Sequence, residues 1–303
     1  MSNRELRLKR ARASLDGLSV GDAFGECYFS FASNLESLIE RRAIASPPWP
    51  YTDDTEMALS VYAALREYGC IQQHDLARLF AHNMDPQRGY GANTYKLLRQ
   101  VSVGQDWRLA AATAFEGQGS CGNGAAMRVA PLGTYFADDL GMLVENARLS
   151  AEVTHAHPEG IAGAVAIAVA AALATDPPAH NRVVGGRDFI DLVLPHVGDS
   201  EVREGIRRAR NLPEGCSVRL AVSALGNGSR VTAQDTVPFS LWCASQHLDN
   251  FEEVMWLTVS GLGDRDTTCA IVGGIVGART GIGGIPGEWL ANREQLPSWA
   301  VGE

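Results

Sequence analysis

GLGDRDTTCAIVGGIVGARTG, residues 261–281, joins a glycine-rich turn to a long run of small apolar residues. Two aspartates and two threonines stand between the turn and the run, at positions 264, 266, 267 and 268. The stretch therefore predicts a long helix with four oxygen-bearing side chains at its N-terminus.

Helical spacing recurs along most of the chain. In EMALSVYAALREYG (56–69), Met57, Val61 and Leu65 fall on one helical face, and Gly69 is a helix stop signal. Segments that alternate like strands are scarce, so we predict an all-α fold. The other predicted helices run from Arg4 to about Val20, with turns at Gly21 and Gly25, and over residues 74–84, 139–155, 161–174, 237–248 and 251–263.

The chain is long enough to bury a sizeable core, with 303 residues and 46% hydrophobic content. Its least compact stretch is TDPPAHNRVVGGRD (175–188), a loop rich in proline and glycine that is a candidate domain boundary. Apolar helices flank this loop on both sides. We therefore predict a single domain over residues 1–303 with one long loop.

Charge and composition limit the kinds of partner. The net charge is −9 and the sequence pI is about 5.3, whereas nucleic-acid binders usually show a basic face. The longest apolar run, 161–174, is too short to span a bilayer, and the first residues lack the apolar core of a signal peptide. The six cysteines show no zinc-binding spacing, and we expect reduced thiols. We expect a cytoplasmic monomer with no membrane or nucleic-acid partner.

A second oxygen-rich cluster has the same character as the one at residues 264–268. YTDDTEMAL (51–59) places two threonines and two aspartates in front of an amphipathic helix. These residues are preferred helix caps, and a carboxylate suits the helix dipole, so capping is one interpretation. A cap needs only one oxygen, however, and adjacent buried carboxylates repel each other. A divalent cation would remove this cost, which is the second interpretation.

The chemistry of the two clusters limits the choice of metal. Carboxylate and hydroxyl oxygens suit Mg²⁺, Mn²⁺ or Ca²⁺ rather than zinc, and four facing carboxylates have room for two cations. The spacing of an EF-hand is absent. GLGDRD is not a dinucleotide fingerprint, because Asp266 stands where the third glycine is needed.

A glycine-rich loop is the second chemical element. GQGSCGNGAAMRVAP (117–131) contains Gly119, Gly122 and Gly124, which let backbone N–H groups turn inward, and Ser120 and Asn123 add polar side chains. Such a loop before a helix can hold a diphosphate. The alternative is an ordinary glycine-rich connection.

Two further polar segments are candidates for lining a pocket. In THAHPEG (154–160), the spacing of His155 and His157 does not place both rings on one helical face, so a zinc pair is not expected. A lone histidine of this kind is more often structural than catalytic. The polar loop DPQRGYGANT (85–94) either lines a pocket or simply turns the chain.

Taken in order, the motifs G-D-A-x-G, T-D-D-T, R-G-Y-G-A, Q-G-S-x-G-N-G-A-A-M-R, T-H-A-H and D-x-D-T-T resemble those of the ADP-ribosylglycohydrolase family. That family includes the dinitrogenase reductase-activating glycohydrolases and a lens crystallin. The resemblance runs from Gly17 to about Trp289, and several stretches look closest to the branch whose animal members remove ADP-ribose from serine. It implies a compact orthogonal bundle of many helices with two Mg²⁺ or Mn²⁺ ions.

The resemblance also implies residue roles by motif position. The implied metal site consists of Thr52, Asp53, Asp54, Asp264, Asp266 and Thr267. The implied substrate-binding residues are Asp85, Tyr90, Gly91, Ser120, Gly122, Asn123, Gly124, Met127 and His155. Within that set, the glycine loop would contact the diphosphate, and His155 would lie near the phosphates or the ribose.

The chain departs from the family pattern at one position. Many members carry a glutamate a few residues after the last glycine of G-D-A-x-G, on a mobile loop over the metals, but Phe29 stands there in this sequence. Glu26 instead follows Gly25 directly, on a segment that we expect to be a glycine-loosened loop. We therefore name Glu26 and Asp54 as the candidate catalytic groups.

The implied activity is hydrolysis of the glycosidic bond between ADP-ribose and an acceptor, through an oxocarbenium-like transition state. The acceptor would be a protein side chain, arginine or serine, or a small molecule, so the partners are ADP-ribosylated proteins or small ADP-ribosylated acceptors. Two alternatives remain open. One is a non-catalytic relative that binds ADP-ribose or serves a structural role, as in the crystallin, and the other is a metal-dependent phosphohydrolase.

Overall fold

Helices form the regular secondary structure of the described chain. The computed structural model describes residues 2–29, 34–175 and 185–302, and there it shows α-helices, two short 3₁₀-helices and two isolated β-bridges. The all-α prediction is confirmed. The α-helices are α1 (Asn3–Cys27), α2 (Leu35–Glu40), α3 (Asp53–Tyr68), α4 (Gln73–Asn83), α5 (Ala92–Ser102), α6 (Trp107–Gly117), α7 (Gly124–Met127), α8 (Ala130–Tyr135), α9 (Leu140–Glu152), α10 (Pro158–Ala174), α11 (Arg187–Val193), α12 (Glu201–Asn211), α13 (Val218–Leu225), α14 (Ala233–Gln246), α15 (Phe251–Val259), α16 (Arg265–Thr280), α17 (Gly287–Asn292) and α18 (Ser298–Val301).

Helices α1 and α16 pack backbone to backbone through glycines. A β-carbon added at Gly17 would lie 2.3 Å from the carbonyl oxygen of Gly273, and one added at Gly21 would lie 2.1 Å from that of Cys269. Residues four apart lie on the same helical face, so these glycines form a groove along α1. Any larger side chain in this groove would push the two helices apart.

This packing corrects the prediction that α1 ends at Val20 and that the chain then turns. The helix continues through Gly21 and Gly25 to Cys27. A β-carbon at Gly25 would meet the carbonyl oxygen of Arg265 at 2.3 Å. The two glycines are therefore positions of close helix contact rather than turns.

The other predicted helices form close to their expected positions. The stop signal is confirmed, since Gly69 ends α3 with a left-handed φ of 73°. The stretch 261–281 contains α16, and the residues of this helix from Thr267 to Gly277 are buried. The alanine-rich run forms α10, which is likewise buried over most of its length.

The core combines these small-residue helices with an aromatic cluster. Phe24 on α1 stacks on Trp289 at a centroid distance of 4.6 Å and meets Trp256 edge-on at 5.0 Å. The six cysteines are free thiols. Among the described helices, none combines the length and apolar character that a membrane crossing requires. Most of the predicted loop at 175–188 falls on residues 176–184, which lie outside the described residues.

The position of the candidate site follows from the packing of α1. This helix contacts both α3 and α16, and it brings their N-terminal ends together beside its own residue Asp22. The two Thr/Asp clusters, which form the N-terminal ends of α3 and α16, thereby become neighbours in space.

Candidate active site

Asp22 holds the first Thr/Asp cluster in place. Its Oδ2 accepts hydrogen bonds from the backbone N–H groups of Thr52 at 3.0 Å and Thr55 at 3.1 Å, and from the Thr55 hydroxyl at 2.6 Å. Its Oδ1 lies 2.8 Å from the Thr52 hydroxyl. A carboxylate that faces the free N–H groups of a helix end is favoured by hydrogen bonding and by the helix dipole. Asp22 therefore caps α3 from a neighbouring helix.

The two clusters meet through Asp54. Its Oδ2 lies 3.1 Å from the Thr52 hydroxyl and 3.4 Å from the Thr267 hydroxyl of α16. The Thr52 hydroxyl is also in contact with Asp22, and its single proton cannot serve both carboxylates. The contacts of Thr52 with these two carboxyl groups are therefore short of one proton when both groups are ionised.

The glycine loop joins the same assembly. The side-chain amide of Asn123 donates to Asp264 Oδ2 at 2.7 Å and to the Thr236 hydroxyl at 3.0 Å. Both oxygens sit on elements that are far from the loop in sequence. Asn123 therefore fixes the loop to the second cluster.

Burial and mutual repulsion perturb the carboxyl groups strongly. Burial, followed by the charge of Asp266, raises the pKa of Asp264 to about 7, and burial followed by the charge of Asp22 raises the pKa of Asp266 to about 6. Burial and the neighbouring carboxylates also raise the pKa of Asp53 and Asp54 well above the usual range. The cluster accumulates negative charge at neutral pH only at an energetic cost.

Helix capping explains only one residue of the two clusters, Thr52. The Thr52 hydroxyl accepts from the Asp54 backbone N–H at 3.3 Å, as an N-cap does, whereas Asp264 makes no capping bond to α16. The atoms Asp54 Oδ1 and Asp266 Oδ1 are buried, and no residue in the part of the chain that the structure describes forms a hydrogen bond with either of them. Two partnerless carboxylate oxygens in a negatively charged cluster suit a hard divalent cation.

The cluster is not a compact carboxylate cage. Within the described ranges, no group of three or more Asp, Glu, His or Cys side chains converges as it would around a bound metal ion. The hydroxyl of Thr267 contacts Asp54 across the two clusters, and the hydroxyl of Thr52 contacts Asp54 within the first one. The donor set that fits a cation here is therefore a mixture of carboxylate and hydroxyl oxygens.

A cavity of about 650 Å³ opens over this assembly. Its wall contains both halves of the predicted metal site and most of the predicted substrate-binding residues. The predicted residues that line it are Asp53, Asp54, Gly91, Ser120, Gly122, Asn123, Gly124, Met127, His155, Asp264, Asp266 and Thr267. Motifs separated by more than a hundred residues in the sequence thus share one surface.

His155 packs directly beneath the glycine loop. A β-carbon added at Gly124 would lie 2.8 Å from Cε1 of the ring, and one added at Gly122 would lie 3.1 Å from Nε2. Burial lowers the pKa of His155 to about 3, so the ring is neutral at physiological pH. A side chain at either glycine would therefore collide with the imidazole, so the two glycines allow the ring of His155 to pack against the loop in the wall of the same cavity.

Four predicted residues lie outside this cavity. Thr52, Asp85 and Glu26 line a neighbouring cavity of about 410 Å³, which shares Asp266 with the first. Tyr90 instead donates its hydroxyl proton to Glu56 at 2.7 Å.

The expectation that Glu26 lies on a mobile loop is wrong. Glu26 belongs to the last turn of α1, where the preceding Gly25 is in contact with the backbone of α16. The residue is half-buried, and burial raises the pKa of its carboxyl group, while the nearby Arg265 opposes this shift. Arg265 also lies over the ring of Phe29, 4.1 Å from its centroid.

Several residues of the site were not predicted. Asp22 lies in the motif G-D-A-x-G but had no predicted role, because nothing near it in the sequence shows which helix it contacts. Phe115 and Arg230 line the larger cavity without any local sequence signal. Phe115 and its cavity neighbour Val231 both have positive φ, at 50° and 56°, a backbone strain that is often found at functional sites.

A family comparison agrees with this geometry. The model of the ADP-ribosylglycohydrolase family matches residues 3–301, nearly the whole chain. The chain belongs to the ADP-ribosylglycohydrolase family. This is a family of glycohydrolase enzymes, so the predicted family and the predicted enzyme class are both confirmed.

Individual members of the ADP-ribosylglycohydrolase family resemble the chain along most of its length. It is 28% identical to "ADP-ribosylhydrolase ARH3" of Homo sapiens, over 95% of this chain and 90% of the relative. It is 25% identical to "ADP-ribosylarginine hydrolase Tri1" of Serratia proteamaculans (strain 568), over 93% of this chain and 75% of the relative. A solved structure titled "ADP-ribosylglycohydrolase-related protein complex" superposes with a TM-score of 0.68 at 23% identity, covering 98% of this chain and 96% of the other. The predicted fold is confirmed.

Proposed function

We propose that this chain hydrolyses the glycosidic bond that joins ADP-ribose to an acceptor and releases free ADP-ribose. The observation that carries the proposal is the shared wall of one cavity, which combines the glycine loop, His155 and both Thr/Asp clusters. A cavity of about 650 Å³ is within the usual size range of small-ligand sites. The family membership and the names of the two relatives support the same reaction.

The glycine loop would bind the diphosphate. Gly122 and Gly124 have no side chain to separate the backbone from a phosphoryl group, and Ser120 adds a hydroxyl in the cavity wall. The exposed ring of Phe115, at 59% exposure, offers an apolar face for the adenine base at the edge of the same cavity. Substrate orientation by these groups would place the ribose over the Thr/Asp clusters.

The Thr/Asp clusters would hold two Mg²⁺ or Mn²⁺ ions. The partnerless oxygens of Asp54 and Asp266 and the raised pKa values of the buried carboxyl groups support this assignment. The residues that would hold the ions are Thr52, Asp53, Asp54, Asp264, Asp266 and Thr267. When bound, such ions would orient the ribose hydroxyls and make a water molecule more acidic.

A carboxyl group of this chain would move the proton. Glu26 has the raised pKa that suits a general acid or base, and it lies in the neighbouring cavity that shares Asp266 with the larger one. Asp54 is the other candidate, because it lies where the two clusters meet. The acceptor would occupy the neighbouring cavity, which has Glu26 and Asp85 in its wall.

Release of ADP-ribose tests the proposal. The purified chain would be incubated with arginine-linked and serine-linked ADP-ribosylated proteins, with Mg²⁺ or with a chelator. We expect free ADP-ribose from at least one substrate in the Mg²⁺ reaction, and none from the matched Asp54→Asn variant. AMP as the product would indicate a phosphohydrolase instead. Tight ADP-ribose binding without release from either substrate would contradict the proposed reaction.

A further inference from the structure

A fully buried arginine lies below the glycine loop. Arg128 has 0% exposure, and its guanidinium donates to the carbonyl oxygens of Gly124 at 3.1 Å and Ser150 at 2.9 Å. It also donates to the Thr154 hydroxyl at 2.9 Å and lies over the ring of Phe80. Within the described residues, no carboxylate is hydrogen-bonded to it. A buried charge that is held only by neutral acceptors is energetically costly. We therefore expect Arg128 to hold its neighbouring side chains in position.

The hydrogen bond between Arg128 and Thr154 can have only one donor. An arginine side chain only donates, so the Thr154 oxygen must accept from it. The same oxygen lies 2.7 Å from Nδ1 of His155. The threonine hydroxyl has one proton. Within the described chain, Nδ1 is the only other hydrogen-bond partner of that oxygen. The proton therefore points to Nδ1, which accepts it.

This direction determines the tautomer of His155. A neutral imidazole that accepts at Nδ1 carries its proton on Nε2. The opposite tautomer would present Nδ1–H to Thr154, and the threonine proton would then have no acceptor. The doubly protonated ring is disfavoured by burial and by the positive charge of Arg128, which together lower the pKa of the ring.

The Nε2 atom faces the glycine loop. A β-carbon would lie 3.1 Å from Nε2 if added at Gly122, and 3.0 Å from it if added at Gly124. The ring lines the larger cavity, and Nε2 has no hydrogen-bond partner among the described residues. The free N–H of this tautomer is therefore directed to the surface that a ligand would occupy.

We propose that Arg128 and Thr154 are positioning residues that hold His155 as the neutral Nε2–H tautomer, so that the ring presents one hydrogen-bond donor to an anionic oxygen of a phosphorylated ligand. The tautomer itself follows from the contacts of the free protein, whereas the role of the donor rests on the proposed function. A donor that is already oriented needs no rearrangement when the ligand arrives. Arg128, Thr154 and His155 thus form a chain of hydrogen bonds from the buried guanidinium to the cavity, which we call the relay.

Nitrogen NMR of the free chain tests the tautomer. The full chain would be labelled with ¹⁵N-histidine, and long-range ¹H–¹⁵N spectra would distinguish a protonated from an unprotonated ring nitrogen. The spectrum of His155→Gln identifies the His155 signals by their loss. We expect a protonated Nε2 and an unprotonated, hydrogen-bonded Nδ1. A protonated Nδ1 or a doubly protonated ring at neutral pH would overturn the proposal without reference to any ligand.

Two substitutions at Thr154 test the relay. Thr154→Val keeps the shape and removes the hydroxyl, and it should give a mixture of tautomers. Thr154→Ser keeps the hydroxyl and should retain the wild-type spectrum. A wild-type tautomer in a folded Thr154→Val protein would overturn the relay. If that variant does not fold, a Thr154→Ser spectrum that shows a protonated Nδ1 would overturn it instead.

Calorimetric titration with ADP-ribose tests the donor. Thr154→Val should weaken binding by the inverse of the fraction of rings that its spectrum shows in the Nε2–H tautomer, about twofold for an even mixture and tenfold when one ring in ten keeps it, and Thr154→Ser should bind as the wild type does. An affinity of Thr154→Val that does not fall with its Nε2–H fraction would overturn the role of the donor. Failure of the wild type itself to bind ADP-ribose would contradict the proposed function, while the NMR result would still decide the tautomer.

Discussion

Removal of the Asp22 side chain should lower the free energy of unfolding, and the hydrogen bonds that this side chain accepts determine by how much. Its Oδ2 accepts from the backbone N–H groups of Thr52 and Thr55, at 3.0 Å and 3.1 Å. In Asp22→Ala both N–H groups remain buried without an acceptor, at about 1–3 kcal/mol each. The Thr52 hydroxyl can donate to Asp54 instead, and the Thr55 hydroxyl can rotate toward a backbone carbonyl of the preceding turn, so the two hydroxyls add little. The predicted loss in free energy of unfolding is therefore about 2–6 kcal/mol.

One effect reduces this loss. Asp22 is a buried carboxyl group whose pKa burial raises to about 6, and its charge also raises the pKa values of Asp54 and Asp266. Its removal relieves part of that repulsion. We therefore expect a measured loss in the lower half of the range, about 2–4 kcal/mol.

Urea denaturation followed by circular dichroism, in a chelating buffer, measures this difference. The matched control is Asp22→Asn, because a rotated amide keeps its oxygen on the two N–H groups and turns its NH₂ toward the Thr52 oxygen. We expect this variant to lose less than about 1.5 kcal/mol. Equal stability of the alanine and asparagine variants would show that the N–H groups of α3 do not depend on Asp22, and would refute the reasoning.

Four further predictions concern the site. Burial raises the pKa of Asp264 from 3.8 to about 7, so between about pH 4 and 7 the folded cation-free protein binds more protons than the unfolded chain, and its free energy of unfolding should fall as pH rises through this window; urea denaturation should show a weaker pH dependence in Asp264→Asn, and an unchanged one would contradict this. Asp266→Ala should lower Mg²⁺ affinity at least about tenfold by calorimetry, and unchanged affinity and stoichiometry would return the clusters to a capping role. Gly122→Val should weaken ADP-ribose binding, because its β-carbon would lie 3.1 Å from Nε2 of His155; full affinity in a folded variant would exclude the loop from the ligand site. Glu26→Gln should lower kcat by about 10²–10⁴ and remove one limb of the pH–rate profile while ADP-ribose binding is retained; a kcat near that of the wild type would assign the proton to Asp54.

Local patterns were sufficient for most of the secondary structure. Apolar spacing and the stop glycine predicted α3 and its end at Gly69, because helix formation and termination depend on residues within a few turns. The same local view was wrong at Gly21 and Gly25. A glycine favours a turn or a close helix contact equally well in isolation, and only the backbone of α16 against these two positions decides between them.

The parts of the candidate site that are contiguous in the sequence were visible as motifs, since TDDT, DRDTT and the glycine loop each concentrate one kind of chemistry in a few residues. Their convergence was not visible, because Asp54 and Thr267 are 213 residues apart and meet only when α3 and α16 pack on α1. Asp22 shows the same limit: a single aspartate within a helix forms no pattern, and its role exists only in its contacts with another helix. Residue type and helical periodicity are properties of neighbouring residues, whereas burial, pKa and hydrogen-bond direction arise from the packing of distant backbones, and they required the folded structure.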